Sequence, residues 1–192
     1  MQNSKQKQRS RYIDSKPKQR SRSRYIEKKE SVWSILRPCI ITVAAVILFT
    51  TFIARPSRVV GPSMQDTCHN GDLVILWELN YNPARGDIVV VDKDNPLHEN
   101  LIKRVIGVGG DHVQVQDGTV TVNGQQLSEP YVKESKWSGS NVDLVVPEGQ
   151  VFLMGDNRNN SEDSRAIGPV DSGSIMGKVV LRIFPFDAIR TF

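Results

Sequence analysis

One apolar run constrains this 192-residue chain more than any other feature of its sequence. Residues 39–54 contain no charged residue, no glycine and no proline. A helix needs about 20 apolar residues to cross a bilayer, and residues 32–38 supply the remainder, with Trp33 near the headgroups and Arg37 able to snorkel. The sequence therefore predicts a transmembrane helix over residues 32–54.

A cleaved signal peptide would show a similar apolar run behind positive charge. Two features argue against cleavage here. The segment ahead of the run is about 30 residues long, and the exit at residues 52–56 lacks small residues at both key positions and places Pro56 where it would obstruct the cut. An uncleaved signal anchor is the favoured interpretation.

Charge is distributed unevenly on the two sides of this anchor. Residues 1–30 hold 11 Lys and Arg against 3 acidic residues, whereas residues 38–192 hold 13 against 18. The positive-inside rule then predicts a single-pass protein of the cell membrane, with residues 1–31 in the cytoplasm and residues 55–192 outside. The tail is rich in Gln, Ser, Lys and Arg, which predicts disorder. A solvated tail is favoured over one that binds nucleic acid or anionic lipid, so no nucleic-acid partner is expected.

Residues 55–192 have the pattern of β-strands separated by turns. Apolar, β-branched runs are followed or preceded by Gly, Pro, Asn or Asp at 73–77, 87–91, 101–106, 151–154 and 179–184. Residues 112–116 and 119–122 alternate strictly around Asp117-Gly118, which indicates a hairpin. No stretch of this part has helical periodicity over three turns. We predict a mainly-β fold, with one compact domain built on a coiled or barrel-like sheet.

Two polar residues in this part are candidates for chemistry. Ser63 is a turn residue by default, and it becomes a nucleophile only beside a base and an oxyanion site. Lys103 interrupts an apolar strand and shares a face with Leu101 and Val105, while Arg104 faces the other way. One of the two cations must point into the interior or a cleft. Burial lowers the pKa of a lysine toward that of a general base, which arginine cannot become.

Other partners for Ser63 are less favoured. A Ser-His triad is disfavoured because no histidine has an acidic partner at a suggestive position; the three are His69, His98 and His112. Cys68 is interpreted as a small core or pocket residue. For Lys103, a snorkelling lysine at a sheet edge is the structural alternative.

A third feature is the polar loop 155–168, which follows an apolar strand. Asp163 and Arg165 can form a charge-assisted pair there, and Ser161 can donate or accept a hydrogen bond. Loops anchored by strands commonly carry functional sites. The loop therefore favours the hypothesis that Ser63 is a nucleophile and Lys103 its base.

Short motifs follow one another between residues 61 and 168: Gly61-Pro62-Ser63-Met64, Gly71-Asp72, Arg85-Gly86-Asp87-Ile88-Val89-Val90, Lys103-Arg104-Val105-Ile106-Gly107, Gly109-Gly110-Asp111, Gly155-Asp156-Asn157-Arg158, Asn160-Ser161 and Asp163-Ser164-Arg165. In this order, and behind an anchor, they resemble the type I signal peptidases, membrane-anchored serine proteases with a Ser/Lys dyad. The single anchor and compact outer domain resemble the short Gram-positive type.

The resemblance implies that Ser63 is the nucleophile and Lys103 its neutral general base. It assigns supporting roles to four residues: Ser161 orients the lysine amine, Asp163 and Arg165 brace the site, and Asp156 is a further supporting carboxylate. The implied reaction is cleavage of signal peptides from preproteins, after small residues at the first and third positions before the cut, without cofactor or metal.

The resemblance also places the oxyanion and substrate pockets, at Val59, Gly61, Met64, Cys68, Leu101 and Ile102. Two positions depart from the family pattern. Residues 66–68 read Asp-Thr-Cys where the family usually has Pro-Thr-Leu, which changes one pocket wall because cysteine is smaller than leucine. Gly61 stands where some relatives carry a hydroxyl residue, so an oxyanion hole here relies on backbone N–H groups, including that of Ser63.

The implied partners are preprotein signal peptides, the lipid bilayer and the export machinery. Trp77 and the Phe184-Pro185-Phe186 segment are candidates for contact with the bilayer surface. Three rival hypotheses remain: a Ser/Lys protease for a narrow set of surface or secreted proteins, an inactive membrane-tethered binding domain, and a self-cleaving repressor-type protease. The last needs a DNA-binding domain where this chain has an anchor.

Overall fold

The computed structural model describes residues 32–134, 137 and 139–192, so the predictions for residues 1–31 lie outside the described residues. The chain divides into two units, residues 1–39 and 40–192. Helix α1, Val32–Phe52, begins in the first and ends in the second. Over Val32–Thr50 it has a mean hydropathy of 2.1 and no buried residue, and within the described ranges it is the one helix long and apolar enough to cross a membrane. The predicted apolar helix is confirmed, although it ends at Phe52.

Strands dominate the rest of the chain, and the mainly-β prediction is confirmed. Eight strands form a curled half-barrel sheet in the order β1-β2-β11-β3-β4-β9-β10, with β12 paired to β11. A second sheet has the order β7-β6-β5-β8. The bounds are β1 Ala54–Arg58, β2 Leu73–Trp77, β3 Ile88–Val91, β4 Leu101–Val108, β5 His112–Gln116, β6 Thr119–Val122, β7 Gln125–Gln126, β8 Val142–Val145, β9 Gln150–Met154, β10 Val170–Asp171, β11 Ile175–Phe184 and β12 Arg190–Thr191.

Some elements form for reasons that the sequence pattern does not display. Strand β1 contains Pro56, which cannot donate to a ladder, yet β1 pairs with β2 because it lies at the edge of the sheet. The predicted hairpin at Asp117-Gly118 is confirmed, with φ of 48° and 78° at the two residues and β5 paired to β6. A four-residue helix, α2 (Ser164–Ile167), starts after Asp163, whose carboxylate accepts a hydrogen bond from the Arg165 N–H.

Strand β4 positions the centre of the larger sheet. It pairs with β3 on one side and with β9 on the other, and its first seven residues are buried. Apolar clusters cover both of its faces: Ile102 packs with Val59 and Met64, whereas Leu101 and Val105 pack in a separate cluster. Any polar side chain on β4 is therefore removed from water unless a cleft reaches it.

The two aromatic groups considered for bilayer contact lie at opposite ends of strand β2. Trp77 pairs with Ala54 at one end, and Phe184 pairs with Leu73 at the other. Four residues of strand separate them, or roughly 13 Å at about 3.3 Å per residue. They therefore lie at different ends of β2 and not side by side.

Candidate active site

Ser63 lies on a tight turn between strands β1 and β2. Gly61 opens the turn with a φ of +90°, a conformation that favours glycine. The Cys68 N–H donates to the Met64 carbonyl at 2.7 Å, which closes one helical turn directly after the serine. Met64 and Cys68 point into the core and are fully buried, so the turn is anchored from below.

The Ser63 hydroxyl is directed at strand β4. Its Oγ donates to the carbonyl oxygen of Ile102 at 3.4 Å, and Ile102 immediately precedes Lys103 in the chain. The Ser63 N–H makes no hydrogen bond within residues 32–134, 137 and 139–192, so it is available to a ligand. The turn thus presents a hydroxyl and a backbone donor beside the strand that carries the lysine.

Lys103 is 4% exposed, and its amine forms no hydrogen bond or ion pair in the described part of the chain. Burial lowers the pKa of Lys103 from 10.5 to about 8. The charge of Asp163 opposes this shift, and the charge of Arg165 adds to it. The neutral amine is therefore accessible near neutral pH.

Arg104 is also buried, although the sequence required only one of the two cations to be. Its Nε and Nη2 donate to the two carboxylate oxygens of Asp156 at 2.8 and 2.7 Å. Asp156 is fully buried and also accepts from Thr67 Oγ1 at 2.5 Å. Asp156 therefore supports the Ser63 turn through Thr67 while it neutralises Arg104, the neighbour of Lys103.

The predicted pair of Asp163 and Arg165 is present. Arg165 Nε and Nη2 donate to the two Asp163 oxygens at 2.8 and 2.9 Å, and Ser161 Oγ donates to Asp163 Oδ2 at 2.8 Å. Burial alone would raise the pKa of Asp163, but the hydrogen bonds and the charge of Arg165 lower it overall. An ionised carboxylate thus holds Ser161 and acts electrostatically on Lys103.

Two residues that were not singled out from the sequence join the two loops. A Cβ at Gly155 would lie 2.5 Å from the Ser63 carbonyl oxygen and 2.6 Å from Ser161 Cβ, so no side chain fits there. The Asn157 N–H donates to the same Ser63 oxygen at 3.0 Å, and its side chain donates to the Pro62 oxygen at 3.1 Å. In the sequence, both residues are visible only as members of the motif Gly155-Asp156-Asn157-Arg158. Their roles could not be read from it because each depends on a tertiary contact.

A cavity of about 140 Å³ opens beside strands β1 and β4. Three of the predicted pocket residues line it: Val59, Leu101 and Ile102. Met64 and Cys68 lie in the core, and burial raises the pKa of the Cys68 thiol to about 12, so it stays protonated. Gly61 is not among the residues that line this cavity.

The histidines lie elsewhere. His69 and His98 are exposed, and His112 is on β5 of the small sheet, with Nε2 2.5 Å from Asp143 Oδ1. The described residues contain no group of three or more His, Cys, Asp or Glu side chains that could hold a metal ion.

Comparison with known proteins covers most of the chain. The family described as signal peptidase, peptidase S26, matches residues 32–184. The chain belongs to this family. It is 37% identical over 176 residues to a signal peptidase I of Bacillus licheniformis, covering 85% of this chain and 94% of that protein. It is 34% identical over 172 residues to a signal peptidase IB of Staphylococcus aureus, covering 78% and 89%.

A crystal structure of a signal peptidase I from Enterococcus faecalis V583 is 32% identical, with a TM-score of 0.46, and the match covers 52% of this chain and 98% of that one. As a member of the signal peptidase family, the protein is a serine peptidase that removes signal peptides. Its N-terminal apolar helix fits a membrane-anchored enzyme.

Proposed function

We propose that this signal peptidase acts through a Ser63/Lys103 dyad. The observation that carries the proposal is the hydrogen bond from the Ser63 hydroxyl to the Ile102 carbonyl of strand β4, because Ile102 directly precedes Lys103, a buried lysine with a pKa of about 8. A serine needs a base to become a nucleophile, and a lysine serves as that base only when it is neutral.

The reaction follows from these groups. The Lys103 amine takes the Ser63 proton as Oγ attacks the scissile carbonyl, and the resulting ammonium gives the proton to the departing amine. Lys103 then activates water to hydrolyse the acyl-enzyme. The Ser63 N–H stabilises the oxyanion. The hydrogen bonds of Asp163 to Ser161 and Arg165 keep these groups in place near the Lys103 amine. Asp156 stabilises the Ser63 turn through Thr67.

Substrate selection takes place in the small cavity lined by Ile102, the residue whose carbonyl accepts the Ser63 hydrogen bond. An extended peptide that adds to the strands there gains main-chain hydrogen bonds, and two side chains are left to be selected by shape. Val59, Leu101 and Ile102 line a space of about 140 Å³, which suits small side chains. Met64 and Cys68 support this wall from behind, and Gly61 lets a substrate backbone approach. Small residues at the first and third positions before the cut are the proposed signature.

Charge supports the proposed topology. The basic excess of residues 1–30 precedes α1, so the N-terminus is cytoplasmic and the β-rich part lies outside, in a membrane crossed once. The partners are then preprotein signal peptides at the outer bilayer surface and components of the export machinery that deliver them.

Three variants in detergent, assayed on a preprotein, test the dyad. Ser63→Ala and Lys103→Ala abolish cleavage, and Lys103→Arg also fails because guanidinium remains charged. The matched controls are Ser140→Ala and Lys93→Ala, at exposed positions, and both retain full activity. Robust cleavage by Ser63→Ala or Lys103→Ala would refute the dyad, and an inactive parent would favour the binding-domain hypothesis.

A further inference from the structure

Four residues in one segment contact the parts of the molecule that carry the proposed catalytic groups. We call Glu129, Tyr131, Lys133 and Trp137 the strap. They lie between strands β7 and β8 of the small sheet. None of the six proposed catalytic and supporting residues lies on this segment, yet each strap residue is directed at their surroundings.

Glu129 binds the loop that follows β9. Its two carboxylate oxygens accept from Arg158 Nη1 and Nη2 at 3.0 and 2.6 Å. Arg158 is 1% exposed, and its Nε donates to the Gly155 carbonyl at 3.0 Å. Gly155 is the residue whose backbone packs against Ser63 and Ser161. The Glu129 carboxylate therefore acts on the junction of the two loops through one arginine.

Tyr131 stacks on Arg104, the arginine of strand β4. Its ring lies 3.8 Å below the Arg104 guanidinium, which in turn holds Asp156. The Tyr131 hydroxyl donates to Glu129 Oε1 at 3.0 Å, so these two strap residues are coupled. Stacking of this kind is stronger when the cation is desolvated, as the buried Arg104 is.

Lys133 and Trp137 complete the set. Lys133 Nζ lies 3.3 Å from Asp66 Oδ2, three residues after Ser63 on the same turn. The Trp137 ring lies beneath both Arg158 and Arg165, at 5.1 and 5.3 Å from their guanidinium carbons. The strap thus contacts the Ser63 turn, strand β4 and the loop 155–168.

We propose that the strap is a positioning element, which fixes these three parts relative to one another so that the Ser63 hydroxyl and the Lys103 amine meet. The inference rests on the proposed dyad. The strap touches no reacting atom itself and acts through Arg104, Asp66 and two arginines of the loop 155–168, Arg158 and Arg165. It gives the small sheet a function, which is to hold the strap in place. Misplacing catalytic groups by about 1 Å can cost about a hundredfold in rate.

The main test is Glu129→Gln in the full chain, assayed in detergent. The substitution keeps the shape and removes the charge that Arg158 requires. We expect kcat to fall by about tenfold or more, with KM within about twofold, because the substrate cavity is not touched. Glu148→Gln, at an exposed position that follows β8 of the same sheet, is the matched control and keeps the parental kcat. Glu129→Asp keeps the charge and restores part of the loss.

The conditions of the assay distinguish a positioning role of Glu129 from a role in stability alone. Activity is measured well below the unfolding midpoint of each variant, where circular dichroism shows the protein to be folded. If Glu129→Gln lowers only the midpoint and leaves kcat within about twofold, the positioning role is refuted. The result is distinct from failure of the dyad, which appears instead as activity in Ser63→Ala or Lys103→Ala.

A charge exchange tests the contact between the strap and the Ser63 turn without disturbing the core. Lys133→Glu places like charges beside Asp66 and lowers kcat by about threefold at low salt; the effect is small because exposed ion pairs are weak. The double variant Lys133→Glu with Asp66→Lys restores the parental value. The defect of the single variant shrinks at high salt. A single variant with parental kcat at low salt, or a double variant that is no better than the single one, would overturn this part of the strap.

Discussion

Strand β4 carries two adjacent buried basic residues, Lys103 and Arg104, and their surroundings differ in the partners that they provide. Arg104 is bound through two nitrogens to Asp156 and stacks on Tyr131. The amine of Lys103 has no hydrogen-bond or ion-pair partner within the described residues. A partnered charge is permanent and can hold loops in place, whereas an isolated buried amine gains stability by losing its proton. In the proposed mechanism, one strand thus carries a cation for structural support and, next to it, an amine for proton transfer.

The largest effect expected from this comparison is on the Arg104 side. Asp156→Ala leaves the guanidinium buried without its carboxylate and is expected to lower the free energy of unfolding by about 3–5 kcal/mol. Chemical denaturation in detergent measures it, with Asp187→Ala at an exposed position as the control. A loss below about 1 kcal/mol would mean that Arg104 does not depend on this partner.

Replacing Lys103 is expected to change the free energy of unfolding in the opposite direction. Because the folded-state pKa of Lys103 is about 8 and its ordinary value is 10.5, the folded protein carries a penalty at pH 7 on the order of 3 kcal/mol. The unfolded chain binds the extra proton between these two values, so the penalty decreases as the pH rises from 8 to 10.5. Lys103→Met removes it and is expected to raise the unfolding free energy at pH 7.

The gain in Lys103→Met should shrink to a small remainder by about pH 10.5, where the lysine is neutral in the folded state and half-protonated in the unfolded state. Unfolding curves of parent and variant at pH 7 and pH 10.5 provide the comparison. A variant that is less stable than the parent at pH 7 would contradict the absence of a partner for the amine.

The smallest effect concerns the pH dependence of cleavage. If Lys103 is the general base, as proposed, its neutral amine is the reactive form, and kcat/KM should fall about tenfold for each pH unit below about 8. The charge of Asp163 raises the pKa of Lys103, so Asp163→Asn should move this limb to lower pH, along with any loss of rate. Asp187→Asn serves as the control. If the acidic limb of the kcat/KM profile of Asp163→Asn stays at the parental pH or moves to higher pH, Asp163 does not raise the pKa of the proposed base.

The sequence was a good guide where local pattern decides the structure. The alternation of 112–116 and 119–122 around Asp117-Gly118 was sufficient for the hairpin, and the bounds of β2, β5 and β6 agree with the predicted runs. Strand β1 was not predictable, since Pro56 argues against a strand and only pairing with β2 overrides it. Pattern specifies a strand, but it does not specify which strand lies beside it.

The same limit applies to the site. A lysine within an apolar strand predicts a buried amine, and the Asp163 and Arg165 pair is close enough in sequence to be anticipated. The partner of Asp156 depends on the register that places Arg104 opposite Met154, and the strap depends on a contact between Glu129 and Arg158, 29 residues apart. Such contacts have no periodicity to reveal them.

The strand order of the larger sheet has a consequence for when the enzyme becomes active. Strand β11 is inserted between β2 and β3, so within the larger sheet the hairpin of β1 and β2, which carries the Ser63 turn, is joined to the hairpin of β3 and β4 by residues 175–184. During synthesis, nearly the whole chain must emerge before this join can form. In the proposed mechanism, Ser63 and Lys103 are therefore held together by a complete sheet once residues 175–184 have been synthesised.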